Sequence, residues 1–205
     1  MHRTIFNTPR INTLMHWLSR LILRLLGWRI EGKAPAAPKY VLIAAPHTSN
    51  WDFPFTLMVC FALQMPVYWM GKASLFPPVL GGIMRWLGGI PVERSRQGNL
   101  VQSTVDAFRR SARLTVIIPP EGTRSKVTHW KTGFYYIAQG AGLPIALGFL
   151  DFMAASEVRT AFYQHLRELF GRYDFLALPT AQFFNGRLQG RAQQFLKGEM
   201  AWTIE

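Results

Sequence analysis

Near the N-terminus, polar and hydrophobic side chains recur with the period of an α-helix. Within residues 11–28 the polar positions lie four apart, at Asn12, His16, Arg20 and Arg24. Leucine, isoleucine and tryptophan side chains, including Trp17 and Trp28, cover the rest, a wider apolar face than a soluble surface helix needs. The arginines disfavour a signal peptide and a spanning helix, because each arginine at a bilayer centre costs about 2.5–3.5 kcal/mol. The pattern favours an amphipathic helix in a membrane interface, with packing on the domain core as the alternative.

Beyond a Pro/Ala linker at 32–38, apolar runs of strand length alternate with segments of helical spacing. Strands are predicted at 40–45, 67–70, 90–92, 114–118 and 145–150, and helices at 79–89, 100–113 and 131–140. Strands that alternate with helices predict an α/β fold, a single domain with a largely parallel mixed sheet flanked by helices. Functional groups in such folds gather where strands end and helices begin.

Composition narrows the class of partner. The 205 residues carry 23 Lys and Arg against 11 acidic residues, a net charge of +12, while 49% are hydrophobic. A basic and apolar chain favours an anionic membrane surface over nucleic acid, for which the sequence has no reader motif. The single cysteine, Cys60, excludes an internal disulfide, and its apolar neighbours predict a core position. The five histidines are scattered, so no metal site is predicted.

Two loops at strand ends carry candidate chemistry. The first, His47-Thr-Ser-Asn-Trp-Asp52, combines a base that titrates near neutral pH with a carboxylate able to fix its tautomer. On a regular helix these two side chains would point about 140° apart. We therefore predict that the segment starts as a turn and becomes helical afterwards, as Pro46 and the capping residue types at 48–50 suggest. Because no GxSxG elbow or nearby cysteine supplies a nucleophile, the histidine would act on a substrate hydroxyl.

The second loop, Pro120-Glu-Gly-Thr-Arg-Ser125, and two further cations predict an anion site. Arg94 offers a fork of donors suited to phosphate, and Lys72 could add a point charge. A glycine at 122 lets the backbone approach an anion closely. Glu121 is expected to pair with an arginine and hold the loop. No GxxxxGK or GxGxxG motif supports nucleotide binding.

In this order, His47-Thr-Ser-Asn-Trp-Asp52, Lys72-x-x-Leu75-Phe76, Gly89-x-x-x-x-Arg94 and Pro120-Glu-Gly-Thr-Arg-Ser125 resemble the 1-acylglycerol-3-phosphate (lysophosphatidate) acyltransferase family. A fourth block would fall at Leu143-Pro-Ile145, so the likeness covers about residues 28–151. The resemblance implies an acyltransferase core at 38–151. The helical pattern predicts an amphipathic membrane-associating segment at 1–31, and residues 152–205 are a divergent C-terminal tail of uncertain role.

The resemblance also implies roles for individual residues. His47 would be the general base and Asp52 its partner, and the substrate-binding residues would be Lys72, Arg94, Glu121, Gly122, Thr123 and Arg124. Acyl-CoA or acyl-ACP would serve as co-substrate, with no cofactor, no metal and no covalent acyl-enzyme. Membrane lipids and an acyl thioester donor, with acyl carrier protein as one candidate, would be the partners. We expect a peripheral or monotopic protein on the cytoplasmic face of a membrane.

Other interpretations stay open. A catalytically impaired relative could bind anionic membranes without turnover. Residues 159–180 faintly resemble the C-terminal part of amidase-signature enzymes, although their catalytic segment is not recognisable here. The tail departs from the acyltransferase pattern after Asp151, and a missing strand there would expose a sheet edge. Nucleic-acid binding ranks last. Acyl donor, chain length, acceptor headgroup and oligomeric state do not follow from the sequence.

Overall fold

Helices and strands alternate along the chain. The computed structural model describes residues 3–30, 33–45, 47, 49–92, 97–125, 127, 129–148, 150–151, 175–177, 181–183 and 203–204. The helices are α1 (Pro9–Leu25), α2 (Asp52–Ala62), α3 (Gly81–Trp86), α4 (Gln97–Arg110) and α5 (Gly133–Ala141), with 3₁₀ turns at Ile5–Asn7 and Ala73–Leu75. The strands are β1 (Trp28–Ile30), β2 (Lys39–Ala44), β3 (Tyr68–Lys72), β4 (Gly89–Val92), β5 (Leu114–Ile118), β6 (His129–Trp130), β7 (Ile145–Gly148), β8 (Leu150–Asp151), β9 (Phe175–Ala177), β10 (Ala181–Phe183) and β11 (Thr203–Ile204).

A parallel sheet forms the centre of the fold, in the order β4-β3-β5-β2-β7-β9. Each neighbouring pair in this sheet is parallel, which confirms the α/β class with a parallel sheet. The chain leaves β2 for β3 and β4, and β5 then returns between β3 and β2. Ile43 pairs with Ile118, so β2 and β5 end side by side. The loops that follow these two strands therefore share one edge of the sheet.

Short strands from the tail pair with this core. β9 lies parallel to β7, so the edge of the main sheet beyond β7 is paired. β10 lies antiparallel to β1 and parallel to β8, which makes a small mixed sheet. β11 pairs with β6. The edge that a missing strand would have exposed next to β7 is thus covered by backbone from the tail.

Apolar side chains fill both faces of the main sheet. Because alternate residues of a strand point to opposite faces, Val41 and Ile43 join one cluster while Tyr40 and Leu42 join the other. α4 and α5 cover the first face, and α1 and α2 cover the second. Burying a large apolar side chain contributes about 1.5–3 kcal/mol. Cys60 lies in the second cluster and is 2% exposed, which confirms the predicted core position.

The C-terminal ends of α1 and α3 differ from the sequence prediction, and a glycine accounts for each. α1 ends at Leu25 because Gly27 takes a φ of +80°, a left-handed conformation that turns the chain into β1. Trp28, predicted on the helix surface, is instead buried in β1 and stacked on Phe55. α3 ends at Trp86 rather than residue 89. Gly88 has a φ of +90°, and a Cβ at this position would lie only 2.5 Å from the Val67 carbonyl oxygen, so a glycine is required here.

α1 packs on α2 through its less apolar side. His16, Ser19 and Leu23 are buried, and His16 Nδ1 donates to the carbonyl oxygen of Phe61 at 3.1 Å. The side chains that are between 41% and 76% exposed on the opposite face are Leu14, Trp17, Leu18, Leu21 and Leu25. Packing therefore accounts for one face of α1 and leaves its leucine- and tryptophan-rich face in solvent. Over the described ranges, no helix combines the length and hydropathy needed to cross a bilayer.

Candidate active site

Three ionisable side chains meet where β2 and β5 end, and we call His47, Asp52 and Glu121 the acid–base corner. His47 Nδ1 lies 3.1 Å from Asp52 Oδ2. The backbone N–H of His47 donates to Glu121 Oε1 at 3.3 Å. The parallel pairing of β2 with β5 explains this meeting, since it brings the loops after the two strands together. The turn-then-helix prediction for residues 47–52 matches the structure, because α2 begins at Asp52.

Asp52 also closes the first turn of α2. Its Oδ2 accepts the backbone N–H of Ser49 at 2.7 Å, while Ser49 Oγ accepts the N–H of Trp51 at 3.0 Å. These two bonds form a compact turn just before α2, whose N-cap position is Trp51. Carboxylates in a first turn are also favoured by the helix dipole. One carboxylate therefore starts the helix and orients the imidazole.

The tautomer of His47 follows from this contact. A carboxylate only accepts hydrogen bonds, so Nδ1 carries the proton and Nε2 keeps a lone pair. The His47 side chain is 28% exposed, whereas Asp52 is 4% exposed. An imidazole held in this way can take a proton at Nε2, and the buried carboxylate can stabilise the resulting cation.

Glu121 is the buried member of the corner that binds the backbone of His47. It is 5% exposed, and burial raises the pKa of its carboxyl group above the ordinary value. Its own backbone N–H, that of His47 and the imidazole oppose this rise in pKa, and the charge of Asp52 adds to it. Oε2 has no hydrogen-bond partner among the residues that the structure describes. The predicted pairing with an arginine stays a prediction, because Arg94 lies outside the described residues and Arg124 makes no ion pair with Glu121.

A cleft of about 1360 Å³ opens beside the corner. His47 and Asp52 line it, together with cationic residues toward the solvent and apolar residues toward the sheet. The apolar lining includes Leu42, Phe53, Leu57, Trp69 and Met84. Trp69 is held there by Nε1, which donates to the carbonyl oxygen of Leu87 at 3.0 Å, and by ring contacts with Phe53 and Phe76. The cleft thus combines an apolar wall with a basic, partly exposed mouth.

Four of the predicted substrate-binding residues line this cleft. They are Lys72 at the end of β3 and Gly122, Thr123 and Arg124 in the loop after β5. Lys72, Thr123 and Arg124 are exposed, and Thr123 Oγ1 accepts the backbone N–H of Ser125 at 3.3 Å. Arg94, another of the predicted substrate-binding residues, falls in the undescribed stretch 93–96.

Lys131 is a cation in the cleft that sequence reasoning missed. Gly122 has a φ of +62°, and a Cβ there would lie 3.2 Å from Cδ and Cε of Lys131. The backbone N–H of Lys131 donates to the Pro120 carbonyl oxygen at 2.9 Å, which ties the lysine to the same loop. Its position just before the start of α5 was the available signal. The left-handed turn favours a glycine at this position, and the flexible end of the Lys131 side chain lies directly against it.

Cys60 lines the apolar part of the cleft without nucleophilic character. Burial raises the pKa of its thiol to about 12, so the group stays protonated near neutral pH. The Ser49 hydroxyl oxygen accepts the backbone N–H of Trp51. Within the described part of the chain, the corner therefore offers a base but no activated protein nucleophile. Such an arrangement suits the direct transfer of a chemical group to a bound hydroxyl, without a covalent intermediate on the protein.

Comparison with known proteins identifies the family. A family model described as Acyltransferase matches residues 28–146, more than half of the chain. The comparisons with curated proteins and with solved structures gave no match. The matched segment contains the whole acid–base corner and the loop that carries Lys131. The chain therefore belongs to the acyltransferase family, as its resemblance to lysophosphatidate acyltransferases predicts.

Proposed function

We propose that this protein is a membrane-associated acyltransferase. It transfers a fatty acyl group from acyl-CoA or acyl-ACP to the hydroxyl of a lysophosphatidate-type or related lysolipid acceptor. The observation that carries the proposal is the 3.1 Å contact between His47 Nδ1 and Asp52 Oδ2, which leaves Nε2 to act as a base. This contact lies beside a cleft with an apolar wall and a basic mouth, in a member of the acyltransferase family.

The proposed step needs no covalent acyl-enzyme. His47 Nε2 takes the proton of the acceptor hydroxyl while the hydroxyl oxygen attacks the thioester carbonyl carbon. The tetrahedral intermediate collapses, the carbon–sulfur bond breaks, and the sulfur leaves with the proton that His47 returns to it. Asp52 holds Nδ1–H throughout and stabilises the imidazolium. General-base assistance of this kind contributes about 10²–10⁴-fold to the rate.

The cations at the mouth would hold the phosphate of the acceptor or of the donor. Lys72, Arg124 and Lys131 line the cleft around the loop after β5. Arg94 is proposed for the same role from the sequence motif. Arginine can bind a phosphate through two donors, whereas lysine acts as a point charge. The apolar wall would accommodate the acyl chain, so both chemical parts of a lysolipid have a matching surface.

The membrane association is proposed from α1. Its exposed face carries Leu14, Trp17, Leu18, Leu21 and Leu25, and Arg20 lies 5.7 Å from the ring of Trp17. Apolar residues flanked by arginines match a helix that lies in the headgroup region of an anionic leaflet. The buried side of α1 packs on the protein through His16, Ser19 and Leu23, so the exposed face is free to contact lipid. A basic surface of this kind fits the cytoplasmic leaflet.

A thiol-release assay tests the proposed function. Acyl-CoA and acyl-ACP are offered with a panel of lysolipids to the wild type, to His47→Ala and to Gln102→Ala, a surface control on α4. We expect the control to match the wild type, and His47→Ala to be slower by about 10²–10⁴-fold while it still binds vesicles. Equal rates for His47→Ala and the wild type would overturn the mechanism. Vesicle binding without any thioester consumption by the wild type would instead favour a membrane-binding relative.

A further inference from the structure

A second exposed apolar surface lies in the segment between β3 and β4. We call Leu75, Val79, Leu80 and Ile83 the cleft-side apolar surface, and each of the four is at least 50% exposed. The same segment is packed on the core through Phe76, which is buried, and through Met84 and Trp86. Its backbone position is therefore fixed while four large apolar side chains point away from the protein. Soluble monomers seldom present apolar residues in such a group without a partner.

The charges around this surface identify the kind of partner. Residues 53–92 contain no aspartate or glutamate, and the exposed cations of this stretch are Lys72 and Arg85. In residues 1–92 the acidic residues are Glu31 and Asp52, against nine lysines and arginines. Asp52 is itself buried. Nothing acidic in 53–92 would repel an anionic surface, and a lipid headgroup layer supplies the complementary charge.

The position of the surface relates it to the cleft. Leu75 and Lys72 line the cleft, so the apolar surface begins at the cleft mouth. Phe76 and Met84 pack in the same core cluster as Ile11 and Met15 of α1, which places both elements on one face of the main sheet. The exposed leucines and Trp17 of α1 thus belong to the same layer of the molecule. Two separate apolar surfaces occur on this face.

We propose that the cleft-side apolar surface is a second membrane contact, which holds the mouth of the cleft against an anionic lipid surface. This inference rests on the proposed function in one respect, namely that the acceptor is a lipid that enters the cleft from the bilayer. A second copy of the chain fits less well as the occupant. Two copies would bring Lys72 and Arg85 against their equivalents, with no acidic residue in 53–92 to offset them.

The test uses the full-length protein with two substitutions away from the cleft lining, Val79→Ser and Ile83→Ser together. Gln102→Ser on α4 is the matched control, because it places a serine on an exposed helix of the opposite face. Vesicles of phosphatidylcholine, with and without phosphatidylglycerol, report binding by flotation. We expect the double variant to bind the phosphatidylglycerol vesicles at least about fivefold more weakly than the wild type and the control do.

Activity on two forms of the acceptor completes the test. The KM for lysolipid in vesicles should rise at least about fivefold, whereas kcat/KM for a monomeric short-chain lysolipid should stay within about twofold. Unchanged vesicle affinity of the double variant would overturn the inference. A wild-type dimer that the substitutions dissociate, with vesicle affinity intact, would assign the surface to a second copy and also overturn it. A wild type that consumes no thioester refutes the proposed function alone, since flotation tests the contact independently.

Discussion

The acid–base corner buries charged groups, whereas the outer face of α1 and the cleft-side apolar surface expose apolar ones. Asp52 and Glu121 are 4% and 5% exposed, while Leu25 and Val79 are 76% and 86% exposed. Both regions reverse the usual distribution of residue types between core and surface. The buried carboxylates have partners in the imidazole and backbone of His47. The exposed apolar residues face away from the protein, which leaves a lipid surface to provide the partner in our proposal.

α4 provides an internal reference for this comparison. It is also an amphipathic helix, and it buries Val105 and Phe108 while it exposes Gln102 and Arg110. α1 differs, because it buries Ser19 and His16 together with Leu23 and leaves five large apolar side chains exposed. The same protein thus shows how a helix packs when its apolar face completes the core. The orientation of α1 is therefore a specific feature rather than a general property of this fold.

The largest effect is expected from Asp52→Asn, which removes a carboxylate from the acid–base corner and leaves the exposed apolar residues unchanged. The amide can still accept one hydrogen bond from Ser49 or His47, but it cannot stabilise an imidazolium cation. We expect kcat to fall on the order of 10²–10³-fold with monomeric and vesicle-bound acceptors alike. The measurement is thiol release from acyl-CoA with each form of the acceptor.

Asp106→Asn is the matched control, since Asp106 accepts a hydrogen bond from Gln102 on α4, far from the corner in the fold. It should keep the wild-type rate. If Asp52→Asn changed only the rate with vesicle-bound acceptor, the corner and the membrane-facing surface would not have the separate roles that we assign to them.

A smaller effect is expected from Leu18→Ser combined with Leu25→Ser, which changes the exposed apolar face of α1 and leaves the acid–base corner intact. Full burial of a leucine contributes about 1.5–3 kcal/mol. Even half of that for each residue corresponds to more than about tenfold in vesicle affinity. Flotation should show this loss, while kcat/KM for a monomeric acceptor stays within about twofold. Vesicle affinity equal to that of the wild type would remove α1 as the anchor.

The smallest effect, on stability rather than activity, is expected from Glu121→Gln. Because burial raises the pKa of Glu121 above its ordinary value of 4.5, the folded state holds this proton more tightly than the unfolded state. The stability from that proton is complete below about pH 4.5 and is lost as pH rises through the raised pKa. Glutamine still accepts the His47 N–H but does not ionise. The variant should therefore gain stability relative to the wild type as pH rises from 4.5 toward neutrality.

Urea unfolding at several pH values measures this difference in the free energy of unfolding. Asp106→Asn, at a carboxylate on helix α4, is unfolded under the same conditions as the control for removal of a carboxylate elsewhere in the fold. A Glu121→Gln difference that is independent of pH would mean that the carboxyl group titrates alike in the folded and unfolded states, and that its burial has no electrostatic consequence.

Local features of the site could be predicted from the sequence. The apolar runs before His47 and after Arg113 are strands, and a helix does begin within the His47–Asp52 segment, although Trp51 rather than a capping residue type occupies its N-cap. These features depend on contacts within a few residues. The order of the strands depends on contacts far apart in the sequence, and β5 lies between β3 and β2 without any local signal. The contact of Glu121 with His47 was missed for that reason.

Helical periodicity also left one question open. It shows that α1 has two faces, but not which face packs on the protein. In the structure, the face with His16 and Ser19 is the buried one. Trp28 was assigned to that helix because the pattern continues past Gly27, where the backbone turns. Lys131 was missed because its role depends on the close approach to Gly122. Each of these depends on three-dimensional neighbours rather than on spacing along the chain.

The contacts of the acid–base corner join residues at very different separations along the chain, so we expect them to form at different stages of folding. The hydrogen bond from Ser49 to Asp52 joins residues three apart, whereas the Glu121 contact spans 74 positions. Short loops close at little entropic cost, and contacts between distant segments wait for the sheet to assemble. His47 and Asp52 can therefore meet as the first turn of α2 forms. The insertion of β5 between β2 and β3 is then the folding event that adds Glu121 and the loop after it to that pair.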